Sequence, residues 1–254
     1  MAKHGMLNNL FWRDCIMKVN KNYLYDFNNH SEDYFNSIQN ELSKKVDLHN
    51  NFNLNEINLV GGVDLAYWNK NSKEYAVCCI VIIDYSTHEV VEKKYSYGEI
   101  TVPYIAGYLA FRELPLIIET VEKLENTPDI FMFDGNGYLH PRHMGIATHS
   151  SFILDTSTIG VAKNYYKISH MDFEMPSNVK NSYTDISINN EVFGRAVRTV
   201  PNVKPVFVSC GNFIDLNSAM DITLKLVNSN ESRLPITTRL ADLETHIMRE
   251  KLNQ

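Results

Sequence analysis

The segment from Ile57 to Tyr97 constrains the fold more than any other part of the chain. It holds three strand-like runs, Ile57–Leu65, Glu74–Asp84 and His88–Tyr97, of which the second is the most apolar. Turn-forming residues separate them, Asn69-Lys70-Asn71 and then Tyr85-Ser86-Thr87. Gaps this short join antiparallel neighbours, whereas a parallel pair needs a crossover of a dozen residues or more. The spacing therefore predicts a three-stranded meander.

After the meander the pattern alternates. Ile105–Leu124 has helical spacing of apolar residues, with Pro115 expected to bend it or to mark a restart. Asp129–Phe133 and Thr158–Ala162 are short apolar strands, with a helix around Met144–Leu154 between them. Lys167–Asn190 is polar and reads as an irregular surface excursion. Phe193–Thr199 and Pro205–Ser209 read as strands, and Leu216–Val227 and Ala241–Leu252 as closing helices. Upstream, Ser31 can cap a helix in which Tyr34, Phe35, Ile38, Leu42 and Val46 recur at helical spacing. Strands that are first antiparallel and then alternate with helices predict an α/β fold: a central mixed sheet, meander then βα units, flanked by helices. That outline is ribonuclease H-like. Residues 1–30 read as a weakly ordered or family-variable leader and 31–254 as a single domain.

Composition excludes some classes. No run of about 18 uncharged apolar residues occurs, so no transmembrane helix is expected. The first residues lack a clean apolar core, so no secretory signal is read and the expected location is cytoplasmic, with the nucleus as an alternative. Cys78 and Cys79 are adjacent in a strand and point to opposite faces, so they read as core residues in a reducing compartment. The formal net charge of -6 counts mildly against a nucleic-acid partner. It does not exclude one, since carboxylates gathered around metal ions would contribute that charge and basic residues need line only one groove.

Five motifs can carry chemistry. Asp64, in Gly62-Val63-Asp64-Leu65, lies within an apolar strand and, if buried, needs a cation or donors; otherwise it is a solvated turn residue. Glu113, in Phe111-Arg112-Glu113-Leu114-Pro115, taken alone reads as a residue of a solvated helix face. Asp134 ends a buried strand before Gly135-Asn136-Gly137, and ligands gather at the carboxyl ends of strands. An ordinary strand-to-helix turn would look similar. Lys163 closes the strand Thr158–Ala162, either as a cation near a phosphate or as a snorkelling surface lysine. Asp242 follows Arg233-Leu234-Pro235 and is placed near a helix start, where a carboxylate is favoured in any case. His140, His143 and His149 cluster in sequence, but no cysteine lies nearby and a structural zinc is not read there.

In residue type, order and spacing these five motifs together resemble the endonuclease V family, and the similarity runs from about Ser31 to Glu250. The stretch from Asp134 to Lys163 is its most specific part. The resemblance implies a metal-dependent endonuclease that hydrolyses the second phosphodiester 3′ to an inosine, leaving 5′-phosphate and 3′-hydroxyl ends. It implies Asp64, Glu113, Asp134 and Asp242 as ligands of Mg²⁺, with Mn²⁺ as a substitute, and Lys163 beside the scissile phosphate. It implies Tyr104 as a strand-separating wedge, and Leu109, Gly135, Gly137, His140, Gly160 and Val161 as the region receiving the flipped base. The partner is then inosine-containing nucleic acid, handled by a monomer with no membrane involved. Asp242, where some bacterial members carry histidine, and the Asn-rich composition point to a eukaryote-like member, which favours inosine-containing RNA over deoxyinosine DNA.

The chain departs from the family pattern at three places. Ala106 replaces the second proline of Pro-Tyr-Ile-Pro, Leu114 stands where many members have glycine, and Ser209-Cys210-Gly211-Asn212 replaces Ser-Pro-Gly-His. The first puts inherited damage preferences in doubt and the last puts the role of that histidine in doubt. Two rival readings stay open from sequence: an inosine-binding module without turnover, and another ribonuclease H-like structure-specific nuclease.

Overall fold

In the computed structural model, which describes residues 17 and 19–254, eight strands form one mixed sheet. The meander is β1 (Leu59–Lys70), β2 (Lys73–Asp84) and β3 (Val90–Glu99). Then come β4 (Ile130–Phe133), β5 (Ser157–Ala162), β6 (Ser182–Ile188), β7 (Glu191–Arg198) and β8 (Val206–Asn212). Their order across the sheet is β3-β2-β1-β4-β5-β8-β7-β6, with β1–β4 and β4–β5 parallel and the other pairs antiparallel. The helices are α1 (Glu32–Leu42), α2 (Leu109–Val121), α3 (Ile146–Leu154), α4 (Leu216–Lys225) and α5 (Ile236–Leu252). The α/β expectation of a mixed, ribonuclease H-like sheet with helices on its faces is met.

Side-chain alternation divides the core in two. Cys79, Val81 and Ile83 of β2 pack with Ile130, Met132, Ile159 and Val161 under α4 and α5. Cys78, Ile80 and Ile82 pack with Phe131 and Phe133 under α2 and α3. The two adjacent cysteines thus lie on opposite faces, free and buried. Each fully buried large apolar side chain contributes roughly 1.5–3 kcal/mol, so a sheet covered on both faces is well able to hold polar groups rigidly at its edge of chemistry.

Several boundaries differ from the sequence reading, each for a local reason. β1 extends to Lys70 because the turn into β2 is the two-residue Asn71-Ser72, both with positive φ, which suits the twist of a hairpin. Asn189-Asn190, also at positive φ, joins β6 to β7 in the same way, so the end of the expected excursion Lys167–Asn190 is a hairpin strand. α2 begins at Leu109 rather than Ile105, and Pro115 sits inside it without ending it. Glu113 is therefore buried in a continuous helix and not on a solvated face. α5 begins at Ile236, directly after Pro235, a residue suited to a helix start. Asp242 lies more than a turn inside it, so the helix-dipole account of that residue fails. Residues 1–16 and 18 of the expected leader lie outside the described residues. Met17, Val19, Tyr23, Tyr25 and Phe27 pack against the α2–α3 core. Among the described residues no helix is long and apolar enough to cross a membrane.

α5 rests directly on β1. A Cβ on Gly62 would stand 2.3 Å from the Thr237 carbonyl carbon and oxygen, so only glycine permits this approach. Gly62→Ala is expected to lower stability by about 1–3 kcal/mol, the cost of overpacking, and to displace the helix that carries Asp242. Equilibrium urea unfolding measures it; an unchanged midpoint would mean that α5 is not held at this point.

Candidate active site

Strand register sets the first two carboxylates side by side. β1 and β4 run parallel with Val63 opposite Phe133, and the Asp134 amide donates to the Val63 carbonyl at 3.1 Å. Asp64 and Asp134 are the next residues along, and alternation turns both away from the face that holds Val63 and Phe133. They face α5. On β5, Val161 lies on that same face, and Lys163 follows two residues on. From α5 come Asp242 and Thr245, three apart and hence on one side of the helix.

The result is a tight group. One carboxylate oxygen from each of Asp64, Asp134 and Asp242 lies within 4.8 Å of the others. Lys163 Nζ stands 2.5 Å from Asp134 Oδ2 and 2.7 Å from Asp242 Oδ1. The Thr245 hydroxyl hydrogen bonds to Asp64 Oδ2 at 3.2 Å and to the Asp242 carbonyl at 2.8 Å. Glu113 stands outside this set and approaches from α2, on the other side of the sheet. The Tyr67 hydroxyl donates to Glu113 Oε1 at 2.5 Å. Arg112 lies over the Tyr67 ring at 4.6 Å while its guanidinium pairs with Glu74 at 2.5 Å and donates to the Val102 carbonyl at 2.7 Å.

The protonation balance reflects this crowding. Burial first, and then the charges of Asp134, Asp242 and Glu113, push Asp64 up to about 8 against the opposing field of Lys163. Burial also pushes Glu113 up to about 7, with the Tyr67 hydrogen bond and Arg112 working against it and Asp134 with it. Asp134 is raised by burial despite its hydrogen bond from Lys163. Burial opposes the charge on Lys163, but its bonds to Asp134 and Asp242 prevail and hold it above the ordinary lysine range. Three carboxylates thus face one ammonium, with the Glu113 carboxyl close behind. All the candidate ligand atoms are hard oxygens, the donors preferred by Mg²⁺ or Mn²⁺, and a divalent cation among them would relieve the repulsion. The residues fit such an ion.

Beside this group lies a cavity of about 160 Å³, lined among others by Tyr104, Leu109, Gly135, His140 and Tyr166. One water needs only ~10–15 Å³, so the space suits a ring-sized group. Gly137, Gly160 and Val161 do not line it. A Cβ on Gly160 would meet the Gly137 nitrogen at 2.3 Å, so these two glycines seat the 135–137 loop against β5, while Val161 belongs to the apolar core. His140 is a clamp. Its Nδ1 accepts from the Arg142 and Met144 amides, both at 3.2 Å, which leaves Nε2–H to donate to the Gly107 carbonyl at 3.0 Å. Burial and the Arg142 charge push its pKa down to about 3, so the ring stays neutral. Gln39 and Arg142 donate to the same carbonyl at 3.0 and 3.2 Å. The loop bearing Tyr104 is thereby fixed at Gly107, and at Val102 by Arg112, while Tyr104 itself is 68% exposed. No histidine joins a metal-competent group among the described residues.

Sequence reading passed over Tyr67, Thr245 and Tyr166. Thr245 had a signal, its three-residue spacing from Asp242. Tyr67 had none, because it faces away from Asp64 along the same strand. Tyr166 sits in irregular chain after Lys163, where no periodicity applies.

The profile of the family described as Endonuclease V matches residues 40–243. An Endonuclease V of Bacillus thuringiensis subsp. konkukian is 66% identical over 86% of this chain and 92% of its own. The crystal structure of the Bacillus subtilis Endonuclease V superposes with a TM-score of 0.89 at 52% identity, covering 93% of this chain and 99% of that one. The Ciona intestinalis Endonuclease V in complex with a 24mer DNA containing an inosine followed by a ribo-adenosine gives a TM-score of 0.76 at 30% identity, over 87% and 98%. The Bacillus relatives, both above 50% identity, are bacterial, which runs against the eukaryote-like placement.

The raised carboxyls carry a sign. Between an ordinary value of 3.8 and about 8 the folded chain binds a proton on Asp64 that the unfolded chain does not. Stability of the metal-free protein therefore falls as pH rises through that window, and the penalty is complete above about 8. Asp64→Asn is expected to stabilise the metal-free protein at pH 8.5 by at least ~1.4 kcal/mol, the worth of one pK unit, and to change little at pH 4. Thermal or urea unfolding at the two pH values tests this; equal effects at both would exclude a charge origin.

Proposed function

Since the chain belongs to the endonuclease V family, we propose that it is a divalent-metal-dependent endonuclease cutting inosine-containing strands at the second phosphodiester 3′ to the inosine, with residues 31–254 acting as one catalytic domain. The observation that carries this is the convergence of Asp64, Asp134 and Asp242 within 4.8 Å, with Lys163 bridging two of them. In this reading Asp64, Asp134 and Asp242 hold Mg²⁺ or Mn²⁺, and Glu113 completes the acidic wall from α2. When bound, the ion supplies Lewis acidity, lowering the pKa of a water and stabilising the leaving 3′ oxygen. Lys163 keeps its proton beside Asp134 and Asp242 and offers its charge to the phosphate. Thr245 and Tyr67 orient Asp64 and Glu113. Tyr104 stacks on the base exposed when inosine is extruded into the cavity. One chain supplies every group, and the buried free thiols fit a reducing cytoplasm.

The Ciona relative is bound to DNA carrying an inosine and one ribonucleotide. We assign the recognition to the base and leave the choice between RNA and DNA to a 2′-hydroxyl contact on the sugar. Matched single-stranded RNA, single-stranded DNA and duplex DNA, each with one inosine, are expected to be cut in Mg²⁺ and spared with chelator. The guanosine counterparts should stay intact, and the product ends should be 5′-phosphate and 3′-hydroxyl. Asp134→Asn should abolish cleavage and keep the fold. Equal cleavage of guanosine strands would point to a structure-specific nuclease, and binding without turnover to a reader. Tyr104→Ala is expected to weaken binding of the inosine strand by about 1–3 kcal/mol, the value of one base stack, with metal affinity unchanged. A normal affinity would remove the wedge assignment.

A further inference from the structure

Tyr166 is a half-buried aromatic residue that no motif of the chain accounts for. It lines the cavity together with Tyr104, Leu109 and His140. Its ring lies parallel to that of His140, with 6° between planes and 6.2 Å between centroids. The His140 ring is immobilised by its three hydrogen bonds, so the orientation of Tyr166 is set against a fixed plane. The Tyr166 hydroxyl takes no hydrogen bond among the described residues, so the polar end of the side chain has no structural partner there. Its hydroxyl nonetheless lies close to Gly107, within 3.7 Å of where a Cβ would stand, at the anchored end of the Tyr104 loop. Tyr166 also follows Lys163 by only three residues, so its backbone is tied to the ammonium that faces Asp134 and Asp242.

A ring held parallel to a second ring at a cavity, with its hydroxyl unpaired, has the layout of a stacking platform rather than of a core residue. We infer that Tyr166 is a second aromatic contact for the nucleic acid beside Tyr104, and that it stacks on the base taken into the cavity. This rests on the reading that the cavity receives the inosine base. Stacking holds the base equally before and during reaction, so the residue acts on binding and not on the chemical step.

The test compares Tyr166→Ala, Tyr166→Leu and Tyr166→Phe on an oligonucleotide with a single inosine in Mg²⁺. The expected result is a KM raised by roughly ten-fold or more for Ala and Leu, with kcat held, and Phe at the wild-type level. Leu keeps apolar volume without a π face, so wild-type behaviour of Leu would overturn the inference, as would a normal KM for Ala. If the Ala variant fails to fold, the Leu and Phe pair carries the comparison. A second arm measures binding to the same strand with an abasic residue in place of inosine. There the Tyr166→Leu penalty should vanish, and a penalty that persists would place the ring elsewhere on the strand and overturn the assignment. Should the unaltered chain leave inosine strands uncut, the proposed nuclease function fails, while the inosine-versus-abasic binding difference still decides the role of Tyr166.

Discussion

The structure depends on crowding like charges at one end of a short strand. β4 ends at Phe133, and the next residue brings a carboxylate into a group where Asp64 and Asp242 already stand. Desolvating and clustering such groups costs free energy, visible as raised proton affinities on Asp64, Glu113 and Asp134. Lys163 offsets part of this through two short ion pairs. The remainder must be borne by packing, and the packing around the group is of the stiffest kind available. β1 and β2 pair over their whole length, both faces of the sheet are covered, and α5 meets β1 backbone to backbone at Gly62. A looser scaffold would let the carboxylates drift apart, since repulsion favours that.

The two faces of the sheet do different work. The α5 face gathers Asp64, Asp134, Asp242 and Lys163, and Thr245 fixes one of them. The α2 face supplies Glu113 through a chain of contacts: Glu74 to Arg112, Arg112 to Tyr67, and Tyr67 to Glu113. Arg112 belongs to the support and not to the reacting group, because its own charge is answered by Glu74 and the Val102 carbonyl. The Val102 bond matters twice, since it also pins one end of the loop that exposes Tyr104. The other end is pinned by three donors on the Gly107 carbonyl. Ala106, which stands where the family pattern has a second proline, therefore lies in a loop fixed from both sides, and the missing ring restraint is replaced by hydrogen bonds.

The fold was legible where periodicity was long and failed where turn chemistry decided. The meander, β4, β5, α3 and α4 follow from apolar runs and short gaps. β6 was lost because its outer residues are polar and Asn189-Asn190 was read as loop rather than as a two-residue hairpin turn. α5 was read to start late because Thr237, Thr238 and Arg239 mask its first turns, although Pro235 marks the start. At the site, Asp64 and Asp134 could be found from strand position alone, for a carboxylate in or at the end of an apolar strand needs a reason. Glu113 and Asp242 could not. Their motifs describe solvated helix faces equally well, and only the resemblance singled them out. Burial of Glu113 depends on where α2 lies over the sheet, which is a tertiary fact. The cavity was half legible: Gly137 and Gly160 serve close backbone approach beside it, and Val161 packs in the apolar core.

Short chain distances couple the cavity to the acidic group. Gly135 follows Asp134 directly, Leu109 precedes Glu113 by four residues on one helix face, and Tyr166 follows Lys163 by three. Each of these cavity residues is thus carried by the same strand end, helix turn or loop as a residue of the reactive group. Under the proposed function, seating a base in the cavity fixes the position of the strand relative to the carboxylates without any moving part between them. The offset between base and cut is then a property of covalent geometry and sheet register. A change of substrate base that still filled the cavity would leave the offset intact, whereas a shift of α2 or of the 134–137 loop would alter recognition and cleavage together. Neutral His140 suits this arrangement: with one nitrogen occupied by backbone amides and the other by Gly107, its ring contributes shape and rigidity and adds no charge that would compete with Lys163 for the phosphate.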